Sequence, residues 1–158
     1  MADHDLILMR LALAQAQAAA DRGEIPVGAV VADPLTGAVI ATGANAPIAL
    51  SDPTAHAEIL ALRAAGAAVG NHRLTGLTLV VTLEPCAMCA GAISHARIGR
   101  LLFGAPDAKG GGVIHGSRVF DQPTCHWRPQ VEGGLLAEES AEGLRAFFRA
   151  RRGSRADD

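Results

Sequence analysis

Apolar and polar positions follow two periods along this chain. Leu6, Met9, Leu13, Ala16 and Ala20 recur at helical spacing, which predicts an amphipathic first helix stopped by Gly23. Val27–Ala32 and Ala38–Thr42 are short apolar runs split by Asp33-Pro34-Leu35-Thr36-Gly37, a turn composition that predicts a hairpin. An irregular stretch from Gly43 to Ser51 follows. Asp52-Pro53 then reads as an N-cap with proline at the first helical position, where its missing N–H costs nothing, and the helix is expected to reach Ala67. Leu77–Leu83 is a continuous run of Val, Leu and Thr, the pattern of a buried strand.

Glu84-Pro85 reads as opening a second helix in the same way, as far as Ala96. Leu101–Ala105 is a third buried strand, and Pro106–Gly112 a loop holding Asp107 and Lys109. Val113–Gly134 carries little pattern beyond one strand near Gln130, and Leu144, Phe147 and Phe148 mark a last amphipathic helix. Strand–helix–strand–helix–strand after a hairpin predicts an α/β domain with helices packed on a central sheet. One domain is expected over residues 1–152, with 153–158 as a flexible tail.

Composition narrows this picture. At 158 residues, 49% hydrophobic and 19% charged, the chain can bury a core and is not disordered by composition. Aromatics are 3% and tyrosine is absent, so the core must be built from Ala, Val, Leu and Ile. Arg10, Gln15 and Gln17 make the longest apolar stretch too polar for a membrane span. The Met1–Asp5 terminus is acidic where a secretory signal is basic, and a cytoplasmic protein without membrane contact is expected. A net charge of −2 argues against binding nucleic acid through bulk charge but allows a local basic patch. Three cysteines, 86, 89 and 125, exclude a full disulfide framework.

Two short motifs concentrate the chemistry, each at the predicted start of a helix. They are His56-Ala57-Glu58 and, beginning 27 residues after Glu58, Pro85-Cys86-Ala87-Met88-Cys89. Cysteines three apart on a helix share a face, so both sulfurs can reach one ion. The helix amino terminus also favours the thiolate. One imidazole and two thiolates form a three-ligand zinc set that keeps a position for water, the mark of a catalytic site. Glu58 is better cast as a proton carrier. Positions two apart do not face each other in mid-helix, but at a first turn beside a loop His56 and Glu58 can approach one site from different sides.

The plainer alternatives are a redox Cys-x-x-Cys pair and a capping or core histidine. A redox pair gives His56 and Glu58 no use. The combined arrangement is the known signature of zinc deaminases, a match to an established pattern rather than a result of spacing alone.

The chain resembles the bacterial tRNA-specific adenosine deaminases of the cytidine-deaminase-like superfamily. The likeness is carried by residues 24–30, 52–59 and 82–92, by Phe103-Gly104-Ala105 with Asp107 and Lys109, and by Phe147-Phe148 with Arg151-Arg152. It implies a three-layer α/β/α fold on a mixed sheet of about five strands. It also implies zinc held by His56, Cys86 and Cys89, and Glu58 carrying the proton as adenosine becomes inosine at the wobble position of an anticodon loop. The base would be oriented by Asn45 and by the backbone amides of Ala57 and Cys86. Asp107, Lys109, Phe148 and Arg151 would contact the tRNA anticodon stem-loop, and the protein would be a homodimer. The alternatives on the same fold are a deaminase of a free base or nucleoside, such as guanine or cytosine, and a zinc-stapled RNA-binding module without catalysis.

Without the resemblance, Asn45 is equally a turn residue, and Asp107 and Lys109 are solvated loop charges. From Ala141 to Arg155 five arginines face one acid, Glu142, an excess suited to phosphate contacts. Phe148 beside Arg149 could stack on an unpaired base, although cations also complement a helix end. The sequence departs from the family between Gly110 and Arg128. Gly110-Gly111-Gly112-Val113-Ile114-His115 replaces the expected Gly-Ser-Leu, and Cys125-His126-Trp127 stands where an Asn-His pair is usual. Cys125 reads as a buried thiol beside a loop histidine, and His115 has no evident partner.

Overall fold

The computed structural model describes residues 2–156. Its strands are β1 (Gly28–Ala32), β2 (Val39–Ala44), β3 (Thr78–Leu83), β4 (Arg100–Ala105) and β5 (Gln130–Gly133). They form one sheet in the order β2-β1-β3-β4-β5. β1 is antiparallel to both β2 and β3, whereas β3, β4 and β5 run parallel. The helices are α1 (Ala2–Asp21), α2 (Ala57–Val69), α3 (Ala87–His95) and α4 (Ala137–Ala156), with a short 3-10 turn at Val119–Asp121.

The two-residue period of the strands divides the core in two. Ala29, Val31, Leu79, Val81, Leu101 and Phe103 pack with Ala57, Ala61, Ala65, Ala90 and Ile93 of α2 and α3. Val30, Ala32, Val80 and Leu102 pack on the other face with Leu8, Met9 and Ala12 of α1. α4 lies on that second face, against β3, β4 and α1. Each central strand is therefore buried on both sides, which is why it reads as an unbroken apolar run. The result is the expected three-layer α/β/α arrangement on a five-stranded mixed sheet.

Small residues set the spacing between layers. A Cβ on Gly28 would lie 2.0 Å from the Ala12 carbonyl oxygen, and one on Gly43 2.3 Å from that of Ala57. The alanine faces of α1 and α2 thus rest directly on the sheet backbone, and a core nearly free of aromatics closes by close approach. Arg100, at the start of β4, ties layers together through a paired contact to Asp5 at 2.8 and 2.7 Å and a second to Glu132 at 3.0 Å.

Several boundaries differ from the sequence expectation. α2 begins at Ala57, not after Asp52. Asp52 Oδ1 instead accepts the amide and hydroxyl of Thr54 at 2.8 and 2.7 Å, closing a separate turn. α3 begins at Ala87, two residues after Pro85. β2 continues through Gly43 to Ala44. α4 begins at Ala137, which adds Glu138 and Glu139 to its acids, so its five arginines face three glutamates rather than one. Its backbone is helical as far as Ala156, past Gly153, and Asp157 and Asp158 lie outside the described residues. No helix among the described residues is long and apolar enough to cross a membrane.

Gly28→Ala is expected to lower unfolding free energy by about 1–3 kcal/mol in a urea titration, because the added methyl overlaps helix backbone. Gly143→Ala, on an exposed position of α4 with open space around it, should raise it by about 0.5–1 kcal/mol through helix propensity.

Candidate functional site

The strand register brings five connections to one end of the sheet. Gly28 lies opposite Ala44, Ala29 opposite Val81, Leu83 beside Ala105 and Phe103 beside Gly133. The carboxyl ends of β2, β3, β4 and β5 therefore meet the start of β1, and α2 and α3 both begin here. In open α/β sheets this is where ligands bind.

Both motifs place their first ligand just outside a helix. His56 is the extended N-cap of α2 (φ −70°, ψ 153°) and Cys86 that of α3 (φ −70°, ψ 174°). Neither side chain caps its own helix. They turn toward each other instead. His56 Nδ1 lies 3.6 Å from Cys86 Sγ and 3.5 Å from Cys89 Sγ, and the three ligating atoms all fall within 4.8 Å of one another. A tetrahedral ion bonded to nitrogen at about 2.0–2.1 Å and to sulfur at about 2.3 Å sets those two atoms about 3.6 Å apart. The donor set fits such an ion, and three protein ligands is the number found at catalytic rather than structural sites.

Electrostatics support a thiolate. The Cys86 thiol is drawn down to about 5, chiefly by a hydrogen bond with the Cys89 side chain; burial opposes this, and the Cys89 amide and His56 assist it. Cys89 is pushed up by the same hydrogen bond, by burial and by Glu58. A cation bound here would displace the remaining thiol proton, since metal-ligating sulfur is the thiolate.

Glu58, the second residue of α2, is 4% exposed. Burial drives its carboxyl above the usual carboxylate range, against the pull of its own backbone amide and of the Cys89 side chain. The structure therefore brings together His56, Glu58, Cys86 and Cys89. Ala57, fully buried, supplies the first backbone amide of α2.

Asn45 follows β2 directly and is buried. Its Nδ2 donates to the Ile25 carbonyl at 3.2 Å, and its amide donates to Val27 O at 3.0 Å. Asp107 has a local role: its Oδ1 accepts the amides of Lys109 at 3.2 Å and Gly110 at 3.0 Å. Lys109 is exposed. Phe148 and Arg151 stand apart from the cluster, on the helix packed against the opposite sheet face. Phe148 is 40% exposed and edge-on to Phe147 at 5.6 Å; Arg151 lies over the Phe147 ring at 5.0 Å and donates to the Gly23 carbonyl at 3.3 Å. Arg145 and Arg149 pair with glutamates of their own helix.

Two acids escape the sequence reading. Glu24, buried, accepts the amides of Ile48 at 3.1 Å and Ala49 at 2.8 Å. Glu84 accepts four amides from the loop after β4 and a hydrogen bond from His115. Burial raises the Glu84 carboxyl, but the Asp107 amide, the His115 ring and the Val113 and Ile114 amides outweigh it and hold the group below its ordinary value. The only sequence signal is an acid beside proline at an element boundary, because the partners are mostly backbone. Cys125 is a buried free thiol whose Sγ donates to the Trp127 carbonyl at 3.1 Å, and His126 is exposed.

Elemental analysis of the purified protein should find about one zinc per chain, falling below about 0.1 for His56→Ala and for Cys89→Ala, since a structurally incomplete tetrahedral set binds weakly.

The family described as cytidine and deoxycytidylate deaminase zinc-binding region matches residues 2–105. A protein of Agrobacterium fabrum named tRNA-specific adenosine deaminase is 56% identical over 144 residues, covering 91% of this chain and 93% of that one. A structure described in studies of A-to-I editing by tRNA:A34 deaminases at the wobble position is 54% identical, with a TM-score of 0.84, covering 87% of this chain and 98% of its own. The guanine deaminase of Nitrosomonas europaea is 26% identical with a TM-score of 0.79, covering 90% and 83%. With the His56 and Cys86/Cys89 motifs and strands β1 to β4 inside the matched region, the chain belongs to the cytidine and deoxycytidylate deaminase zinc-binding family, in the group that includes the tRNA-specific adenosine deaminases.

Proposed function

We propose that the protein deaminates adenosine to inosine at the wobble position of a tRNA anticodon loop, using zinc held by His56, Cys86 and Cys89. The observation that carries the chemistry is the meeting of one imidazole and two sulfurs beside the buried carboxyl of Glu58. The substrate is supported by likeness over nearly the whole chain to proteins named for it.

Zinc, when bound, would lower the pKa of its water to roughly 7 and so supply a nucleophile for C6 of the base at neutral pH. Glu58 takes the proton that the water gives up and returns it to the departing amino group. Water and adenosine thus become inosine and ammonia, with Glu58 restored. Its burial suits this work, because a carboxyl raised above the ordinary range holds a proton long enough to hand it on. The Ala57 and Cys86 amides, at helix starts with no side-chain cap, would bond the base. Asn45 offers Oδ1 as an acceptor while its Nδ2 anchors it to Ile25.

A loop base suits this site because it splays out at less unstacking cost than a paired one. Lys109 and Arg151 would meet phosphates, Asp107 would shape the loop that presents Lys109, and Phe148 would stack on an unpaired base. The homodimer and cytoplasmic location implied by the resemblance belong to the same proposal.

The purified protein should convert the wobble adenosine of an anticodon stem-loop to inosine, and lose that activity on zinc removal. Glu58→Ala should keep zinc and fold while losing about 10²–10⁴-fold in single-turnover rate. Deamination of free guanine or cytosine with none on the RNA would replace the tRNA substrate by a free base. Full function in Glu58→Ala would leave only a zinc-stapled RNA-binding module.

A further inference from the structure

Residues 107–115 leave the end of β4 and fold back on the turn that carries Cys86. Both ends of this segment are bound to one carboxylate. Glu84 Oε1 accepts the Asp107 amide at 3.0 Å, and Oε2 accepts three consecutive amides, from Val113 at 3.1 Å, Ile114 at 3.0 Å and His115 at 3.1 Å. Successive amides converging on one oxygen form an anion nest. Here the anion is the protein's own side chain, which is fully buried. The fifth donor is His115, whose Nδ1 donates to Oε1 at 2.7 Å.

The three glycines allow this closure. A Cβ on Gly111 would sit 2.3 Å from Glu84 Oε2, and one on Gly112 2.6 Å from the Ala87 nitrogen. The Gly112 amide also donates to Pro85 O at 2.8 Å. The loop is thus seated on the metal-bearing turn itself. Its inner shape comes from Asp107, whose carboxylate holds Lys109 and Gly110, but its placement comes from Glu84. Oε2 is saturated by amides, whereas Oε1 has only the Asp107 amide besides His115. Removing the imidazole leaves that end of the carboxylate short of a donor and free to pivot.

We propose that His115 is a positioning residue for the substrate, a role that rests on the deaminase function proposed above. By fixing the Glu84 carboxylate it holds the loop bearing Lys109 against the Cys86 turn, so that the strand flanking the target base meets a preset wall.

Amide hydrogen exchange at Val113, Ile114 and His115, together with steady-state kinetics on the anticodon stem-loop, tests it. His115→Ala should keep its zinc, exchange those amides about tenfold faster and raise KM about tenfold, with kcat changed by less than about twofold. His115→Asn, whose Nδ2 can donate from nearly the same place as Nδ1, should restore both. His126→Ala, at an exposed position of the same chain segment, should change neither. Unchanged exchange and KM in His115→Ala would overturn the proposal. So would a raised KM with unchanged exchange, which means that the imidazole touches the RNA itself, or loss of zinc or fold, which makes it part of the scaffold. If the wild-type protein fails to act on the stem-loop, the positioning role falls with the tRNA function, and the exchange comparison still decides whether His115 holds the loop.

Discussion

Two helices have to begin side by side, each with its preceding residue extended, for an imidazole nitrogen and two sulfurs to stand 3.5–3.6 Å apart. That requirement shapes both ends of the sheet's central connections. Seating α2 on Gly43 places His56 at the sheet end, and the parallel pairing of β3 with β4 delivers Cys86 to the same place. Neither His56 nor Cys86 caps its helix, and a good cap is worth about 0.5–2 kcal/mol. Serine or aspartate would serve each helix better. The protein instead leaves two first turns uncapped, where the amides and the helix dipole favour anionic sulfur.

Environment separates the acids gathered at that end of the sheet. Glu58 and Glu84 are both buried, yet burial wins at one and hydrogen bonding at the other. Glu84 meets four amides and an imidazole, all of which stabilise the ion. Glu58 meets little beyond its own amide and a neighbouring thiol, so desolvation leaves it disposed to bind a proton. The same side chain is thereby held as an anion in one place and disposed to take up a proton in the other. Location in the sequence, beside proline or beside histidine, does not decide this; the number of donors within reach does.

Much of the architecture was legible from periodicity. The hairpin, the two buried strands and the first helix follow from apolar spacing, because each buries a face or both faces. Helix starts were not. Asp52-Pro53 and Glu84-Pro85 are strong local cap signals, but His56 and Cys86 stay extended and turn toward each other, and that tertiary arrangement outranks propensity. The cluster of His56, Cys86 and Cys89 was readable as a candidate metal site because its residue types are rare and specifically spaced. Glu84 and His115 were invisible as a pair, since the acid's partners are backbone amides that any sequence possesses. The C-terminal helix appeared more basic than it is because Glu138 and Glu139 fell outside the apolar pattern that marked it.

The loops around the site share one manner of attachment. Glu24 holds residues 48–49, Glu84 holds 107 and 113–115, and Arg151 joins α4 to the Gly23 carbonyl. In each case a side chain grips backbone, and several side chains of the gripped loops face outward while Val113 is buried. Ile48, Leu50 and Ile114 are indeed exposed there, as is Lys109. What such a site accepts can change through the displayed side chains while the sheet and the His56, Glu58, Cys86 and Cys89 cluster stay as they are.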